Sequence, residues 1–191
     1  TRGNITSLTA DPKPGSLMSA ITTSASFPPT CTTPATCNKP TASTDALGHV
    51  TNYSYDATSG QITVVTRPAP VTGGIRPETR IGYAVVGGVS AVVSTSTCQT
   101  NASCAGTSDE VKTTLNYPSG TLPPNPLLPL SITTGAGDGS LVATSAFSYD
   151  IAGNRTYVDG PLAGTADTTR TLYDADRESV GVIGPDPDGA S

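Results

Sequence analysis

A short segment that recurs along the chain constrains its fold more than any other feature. The clearest copy is Tyr149-Asp150-Ile151-Ala152-Gly153-Asn154. Before it, Phe147 and Tyr149 alternate with small residues, which is the pattern of a half-buried strand. Asp150 can accept a hydrogen bond from the backbone two residues on, and Gly153 can adopt a positive φ. The segment therefore predicts a strand, a tight turn and a second strand.

Other parts of the chain carry the same unit. Tyr55-Asp56 with Gly60 repeats it with one extra turn residue, and Tyr173-Asp174 repeats it again with Asp176 in the place of the glycine. Asp is among the few residues other than glycine that tolerate the left-handed conformation. Such self-similarity indicates a repeat architecture. The residues that we predict to build the repeats are Tyr53, Tyr55, Asp56, Gly60, Tyr149, Asp150, Gly153, Asn154, Tyr173, Asp174 and Asp176.

The composition predicts an all-β chain. The 191 residues include 20 Gly and 17 Pro, and Thr, Ser and Val are frequent. Nearly every window long enough for a helix contains a Pro, a Gly or a run of β-branched residues. We therefore expect consecutive antiparallel hairpins that form a strip, a solenoid or part of a shell.

Charge and hydropathy argue against two classes of partner. The net charge is −5 and the basic residues are scattered, so a surface for nucleic acid or for an anionic membrane is not predicted. The longest apolar run, Ile81 to Val93, is interrupted by glycines and is too short to span a bilayer. Its Gly87-Gly88 pair instead predicts the turn of a hairpin.

The four cysteines occur in two pairs with the same spacing, Cys31-x5-Cys37 and Cys98-x5-Cys104. A zinc site is one interpretation, but no histidine lies near either pair and the spacing is unusual for zinc. Two local disulfides are the alternative that we favour, each worth roughly 2 kcal/mol in the chain-entropy model. Disulfides indicate an oxidising compartment, so a secreted or cell-surface protein is expected.

The repeats also suggest how the chain is divided. We expect a single β region over residues 1–191. Its parts are a half repeat (1–12), an insertion (13–44), a repeat (45–68), an insertion with a hairpin (69–110), a strand with a Pro-rich linker (111–139) and tandem repeats (140–191). A strand is predicted over residues 17–25 and an ordered, disulfide-pinned loop over residues 26–43.

No motif of an enzyme or a cofactor site is recognisable. His49 is the only histidine, and a surface or strand position is expected for it. The glycine-rich segment 135–139 lacks the Walker and Rossmann spacings, and Asp138 is its only acidic residue, so a turn is favoured over a phosphate or calcium loop. We therefore predict no enzymatic activity, no cofactor and no metal.

The repeated Tyr-Asp-x-x-Gly unit resembles the RHS/YD-repeat family. Tyr55-Asp56, Tyr149-Asp150 and Tyr173-Asp174 carry the resemblance, which is good over residues 45–68 and 140–185. It implies a winding strip of β-hairpins that often closes into a hollow shell. In polymorphic toxins that shell encloses a toxic C-terminal domain. The family's self-cleavage motif is not matched, because the segment 185–189 shares only an Asp-Pro-x-Gly pattern, so no catalytic aspartates are carried over.

Three functions follow from these observations. The first is a structural segment of a secreted scaffold, in which the tyrosines of successive repeats stack. The second is a filament subunit, because residues 1–12 and the last residues look like complementary half repeats that could pair with neighbouring copies. The third is surface adhesion or carbohydrate binding. Possible glycans are a related expectation, since N-x-S/T sequons begin at Asn4, Asn52, Asn101 and Asn154.

Overall fold

The computed structural model describes residues 3–98, 100, 103–119 and 125–185. The regular elements of these residues are β-strands, and no helix among them is long and apolar enough to cross a membrane. The strands are β1 (Ser7–Ala10), β2 (Ile21–Ser26), β3 (Ala42–Thr44), β4 (Val50–Tyr55), β5 (Ile62–Thr66), β6 (Glu78–Val86), β7 (Val89–Cys98), β8 (Glu110–Asn116), β9 (Ser131–Ala136), β10 (Val142–Tyr149), β11 (Arg155–Asp159), β12 (Thr169–Tyr173) and β13 (Ser179–Ile183).

The strands form an open antiparallel sheet in which the order of the strands is their order in the sequence. This arrangement confirms the predicted all-β fold of consecutive hairpins. Six of the connections between these strands are turns of two to six residues rich in Asp and Gly, and a short turn makes the two strands that it joins antiparallel.

The chain divides into two compact units, of which the first is Thr1–Ile81 with Thr97–Ser103. In this unit β1 pairs with β2 from Ser7↔Ser24 to Ala10↔Ile21. The hydroxyl oxygens of Thr9 and Thr22, which face each other across this pair, are 3.0 Å apart. Cross-strand hydroxyl pairs of this kind add to the stability of the backbone ladder.

The second unit is Gly82–Ser96 with Cys104–Ser191. Its β8, β9 and β10 form a meander, and β10 to β13 form two more hairpins. Val86 and Val89 flank the two-residue turn Gly87-Gly88, whose φ values of 56° and 83° are those of a type I′ turn. The predicted Gly-Gly hairpin is therefore confirmed, although its first strand begins at Glu78.

Few side chains are buried in this sheet. Among the described residues the buried ones are Cys37, Gly60, Val86, Ser96, Cys98, Cys104 and Glu110. Most strands have exposed or half-buried residues on both faces, and Val182 of β13 remains 65% exposed. Hydrogen bonding between strands and at turns, including the 2.9 Å pair Thr133–Thr144, therefore has a larger share in this fold than burial in a central core.

Strand boundaries differ from the predictions in the segment 13–44. The strand expected from residue 17 begins at Ile21, and Leu17 lies outside it with a fully exposed side chain. The predicted loop 26–43 ends at β3, which pairs with both β2 and β4. Residues 120–124 of the predicted Pro-rich linker and the predicted turn 186–189 lie outside the described residues.

The cysteines form disulfides. Cys31 bonds to Cys37, with a Cα–Cα distance of 5.0 Å, and Cys98 and Cys104 are also disulfide-bonded. No free cysteine is present among them. The disulfide interpretation of the two Cys-x5-Cys pairs is therefore confirmed, since a zinc site would require thiolates.

Candidate functional site

The repeated Tyr-Asp turn is the candidate site, and the turn between β10 and β11 shows how it is built. The Asp150 Oδ1 atom accepts the N–H groups of Ala152 and Asn154, both at 2.9 Å. The Asn154 side chain donates Nδ2–H to the other carboxylate oxygen at 2.8 Å. Gly153 has a φ of 86° and donates its N–H to the Asp150 carbonyl. One carboxylate thus organises the whole turn.

The turn between β4 and β5 follows the same plan with the predicted extra residue. The Asp56 Oδ1 atom accepts the N–H groups of Thr58 and Ser59 at 3.1 and 2.7 Å, and the Ser59 hydroxyl at 2.8 Å. Gly60 has a φ of 70° and donates its N–H to the Asp56 carbonyl at 2.9 Å. With one more residue between them, the aspartate still accepts the N–H groups of the turn and the glycine still supplies the positive φ.

The turn between β12 and β13 corrects one prediction. The Asp174 Oδ1 atom accepts the N–H groups of Asp176 and Glu178, as in the other turns. The left-handed residue, however, is Arg177, with a φ of 69°, and not Asp176. The prediction was wrong by one position, because Arg177 and not Asp176 lies three residues after the aspartate, as Gly153 does after Asp150. Arg177 therefore adopts a positive φ, a conformation that is unfavourable for residues other than glycine.

A fourth turn of this type, between β3 and β4, has no tyrosine. The Asp45 Oδ1 atom accepts the N–H groups of Leu47 and His49, both at 2.9 Å, and Gly48 has a φ of 84°. The His49 Nδ1 atom lies 2.9 Å from Asp45 Oδ2, in the place of the Asn154 amide. The Asp-x-x-Gly spacing of Asp45 and Gly48 is present in the sequence, but without a preceding tyrosine it does not stand out there as a copy of the unit.

Hydrogen bonds lower the pKa values of three turn aspartates, Asp45, Asp56 and Asp150, so their carboxylates are ionised more readily than a free one. Hydrogen bonds from His49 hold the pKa of Asp45 below its usual value of 3.8, and hydrogen bonds from Ser59 do the same for Asp56. Partial burial raises the pKa of Asp150, but the bonds from Asn154 and Ala152 and the charge of Arg177 outweigh it, so this pKa is also lowered. These three turns are therefore built around ionised carboxylates.

The tyrosine that precedes each aspartate makes the same contact in all three repeats. Its hydroxyl donates to a backbone carbonyl near the start of the preceding strand. The bonds are Tyr55 to Pro40 (2.8 Å), Tyr149 to Pro129 (2.9 Å) and Tyr173 to Arg155 (3.3 Å). We call this contact the tyrosine joint. It ties the end of one strand to the beginning of the strand before it.

A register shift accompanies every tyrosine joint. The pairing of β4 with β5, of β10 with β11 and of β12 with β13 shifts immediately before Tyr55, Tyr149 and Tyr173. In each case the following strand has one extra residue, as in a β-bulge, which reorients the side chains at the end of the hairpin. The bulge is therefore part of the repeated unit.

The hydroxyl, and not ring stacking, is the tyrosine contact that the structure shows. β11 separates the strands of Tyr149 and Tyr173, whereas stacked rings would have to be close neighbours. The Tyr53 hydroxyl lies 2.9 Å from the Ser43 hydroxyl. Burial raises the pKa values of Tyr55 and Tyr149, which keeps both hydroxyls protonated as donors.

Two arginines that the sequence did not single out join neighbouring segments. Arg177 donates from Nη2 to the Ala152 carbonyl at 2.7 Å and to Asn154 Oδ1 at 3.1 Å, so one repeat turn holds the preceding one. Arg76 donates from Nη2 to the Val50 carbonyl at 2.6 Å and to the Thr66 carbonyl at 3.1 Å. No sequence signal pointed to them, because their partners are remote along the chain.

The predicted sequons differ in their environment. Both polar ends of the Asn154 amide are engaged, with Asp150 and Arg177, so a glycan on Nδ2 would have to break the turn. Asn52 is half-buried within β4, and Asn4 is half-buried ahead of β1. Asn101 lies outside the described residues.

Together, the recurring aspartate turn, the bulge and the tyrosine joint define a class of protein, a repetitive β-hairpin scaffold. Residues 38–72 match the family model described as RHS Repeat. This segment covers β3 to β5 with the turns of Asp45 and Asp56, so the chain carries an RHS repeat, and the RHS/YD-repeat resemblance is confirmed. A comparison with curated proteins gave no match.

Proposed function

We propose that this chain is a wall segment of a secreted or cell-surface RHS/YD-repeat protein, and that the wall encloses a toxic domain of the same protein. An RHS repeat indicates a structural repeat protein with a β-sheet scaffold. The tyrosine joint carries the proposal, because three separate repeats use the same hydroxyl-to-carbonyl bond to connect one strand to the strand before it. A contact that recurs with the repeat serves the sheet and not a local reaction.

The disulfides support the location. Both pairs are oxidised, and disulfides persist in extracellular and periplasmic proteins, whereas the cytosol keeps thiols reduced. An enclosing wall also has to resist proteases outside the cell. Disulfide-pinned loops and closely bonded turns provide that resistance, because cleavage requires local opening of the chain.

The test uses the natural full-length secreted protein and measures how fast a protease cuts the part that the wall would enclose. Replacing Tyr55, Tyr149 and Tyr173 by Phe removes the three joints and keeps the rings. We expect faster cleavage of the enclosed part in this variant. The matched control is Tyr157→Phe, because the Tyr157 hydroxyl has no hydrogen-bond partner within the described part of the chain.

Equal cleavage rates in the triple variant and the control would contradict the proposed wall. Electron microscopy of the purified chain tests the alternative of a filament subunit. Filaments that lengthen with concentration would favour that alternative, whereas monodisperse particles at all concentrations would exclude it.

A further inference from the structure

The loop closed by Cys31–Cys37 packs against the first Tyr-Asp turn. A Cβ atom placed on Gly60 would lie 3.2 Å from the carbonyl carbon of Ala35 and closer still to its oxygen. Gly60 is itself buried, although the other residues of its turn are exposed. The middle of the disulfide loop therefore lies directly over the left-handed residue of the turn.

A second contact holds the end of the same loop. The Tyr55 hydroxyl donates to the carbonyl of Pro40, three residues after Cys37, at 2.8 Å. Between the cysteine and the proline, the Lys39 N–H donates to the Thr36 carbonyl at 3.0 Å. The tyrosine joint of this repeat thus ends on the segment that the disulfide anchors.

This loop is additional to the repeat. The family match begins at residue 38, immediately after Cys37, so it includes the turn but not the disulfide. The turn between β10 and β11 is built on the same plan of aspartate, left-handed glycine and tyrosine joint, and its joint ends on Pro129. That turn lies within the cysteine-free stretch 105–191, so the molecule contains a matched turn without a disulfide loop.

We propose that the Cys31–Cys37 loop is a redox-dependent cap on the turn between β4 and β5. The cap is closed while the disulfide is intact, and a dithiol reductant releases it. The bond constrains the loop to the short path that places Ala35 over Gly60. Without the bond the loop gains conformational freedom, and the turn loses its cover and the fixed acceptor for Tyr55.

The chemistry of release is thiol–disulfide exchange. A thiolate of the reductant attacks the sulfur of Cys31, which is exposed, and Cys37, which is 4% exposed, leaves as a thiolate that takes up a proton. The second thiol of the reductant then attacks the mixed disulfide. Cys31 leaves as the second thiol, and the reductant is oxidised to its own disulfide, so two electrons and two protons are transferred.

Hydrogen exchange followed by mass spectrometry tests the cap. The protected amides of the capped turn include Asp56 and Gly60, and those of the matched turn include Asp150 and Gly153. We expect exchange over residues 55–61 to accelerate about tenfold or more in the C31S/C37S variant, with roughly 50-fold as the limit from the chain-entropy model for so short a loop. Exchange over residues 149–155 should stay unchanged.

The C98S/C104S variant provides the control and a second route. Without reductant its capped turn should exchange like that of the wild-type chain. With a dithiol reductant, which can then act only on Cys31–Cys37, the capped turn should accelerate as in C31S/C37S, even if the latter variant does not fold. Unchanged exchange over 55–61 after reduction would overturn the proposal. Equal acceleration of both turns would also overturn it, because it would show a general loss of stability and not the release of a cap.

Discussion

Substitutions of Arg177 test the turn between β12 and β13, because its backbone conformation lowers stability whereas its side-chain hydrogen bonds raise it. Its φ of 69° places a long side chain in the left-handed region, which disfavours residues with a Cβ by about 1–2 kcal/mol. Its guanidinium group donates to Asn154 Oδ1 and to the Ala152 carbonyl. These bonds are exposed, so together they are worth about 1 kcal/mol. Conformational strain and side-chain bonding therefore act in opposite directions at this position.

Two substitutions separate the two effects. Arg177→Ala loses the bonds but keeps the strained conformation, so we expect it to lower the free energy of unfolding by about 1 kcal/mol. Arg177→Gly loses the same bonds but removes the strain. The glycine variant should therefore be more stable than the alanine variant by about 1 kcal/mol.

Urea denaturation followed by far-UV circular dichroism measures both values. Asp176→Gly is the matched control, because Asp176 does not have a positive φ and glycine there should destabilise by roughly 0.5–1 kcal/mol. If Arg177→Ala were as stable as Arg177→Gly, or if Asp176→Gly were stabilising, the left-handed residue would not be Arg177, and the reasoning about this turn would fail.

Two further predictions concern acid and packing. The turn aspartates Asp45, Asp56 and Asp150 have lowered pKa values, so their contribution to stability is complete above the unfolded pKa of about 4 and is lost as the pH falls through the lower folded values. The free energy of unfolding measured against pH should show this loss. Its slope should be shallower for Asp150→Asn and unaltered for a variant that keeps all three aspartates. Gly137→Ala should destabilise the chain by about 1–3 kcal/mol in thermal unfolding, because the new Cβ would lie 2.8 Å from the Cβ of the buried Glu110. Gly184→Ala is the control and should have little effect in this assay, because the space around Gly184 is open.

The elements that the sequence predicted well are those with local causes. The turn after Tyr149 needs an aspartate that reaches its own backbone and a glycine three residues on, and both are adjacent in the sequence. The Gly87-Gly88 hairpin is local in the same sense. Because each strand pairs with its neighbours in the sequence, these local signals were enough to predict the order of the whole sheet.

The contacts that escaped prediction join residues that are remote along the chain. The partner of Tyr149 is 20 residues away, and that of Arg177 is 25 residues away at Ala152. The bulge opposite each tyrosine, in the strand that follows it, also left no mark in the alternation of residues. Stacking was therefore expected where a hydroxyl bond is found, since the sequence shows that a tyrosine recurs but not which of its atoms makes the contact.

Residue preference explains why the left-handed position was assigned to Asp176 and not to Arg177. Asp is tolerated in the left-handed region and Arg is not, so propensity favoured Asp176. The spacing from the aspartate and the bonds of the Arg177 side chain outweigh that preference. A local preference of about 1–2 kcal/mol is small enough for the spacing and these contacts together to override it.

The tyrosine joint is the central claim, and the unfolding free energy of one variant tests it most directly. In the chain with Tyr55, Tyr149 and Tyr173 all replaced by Phe, we predict a loss of about 2–3 kcal/mol, with the smallest share from Tyr173, whose bond is the longest at 3.3 Å. Tyr157→Phe should change stability by less than about 0.5 kcal/mol. A triple variant as stable as Tyr157→Phe would contradict the joint, because the three hydroxyls would then contribute nothing to the sheet.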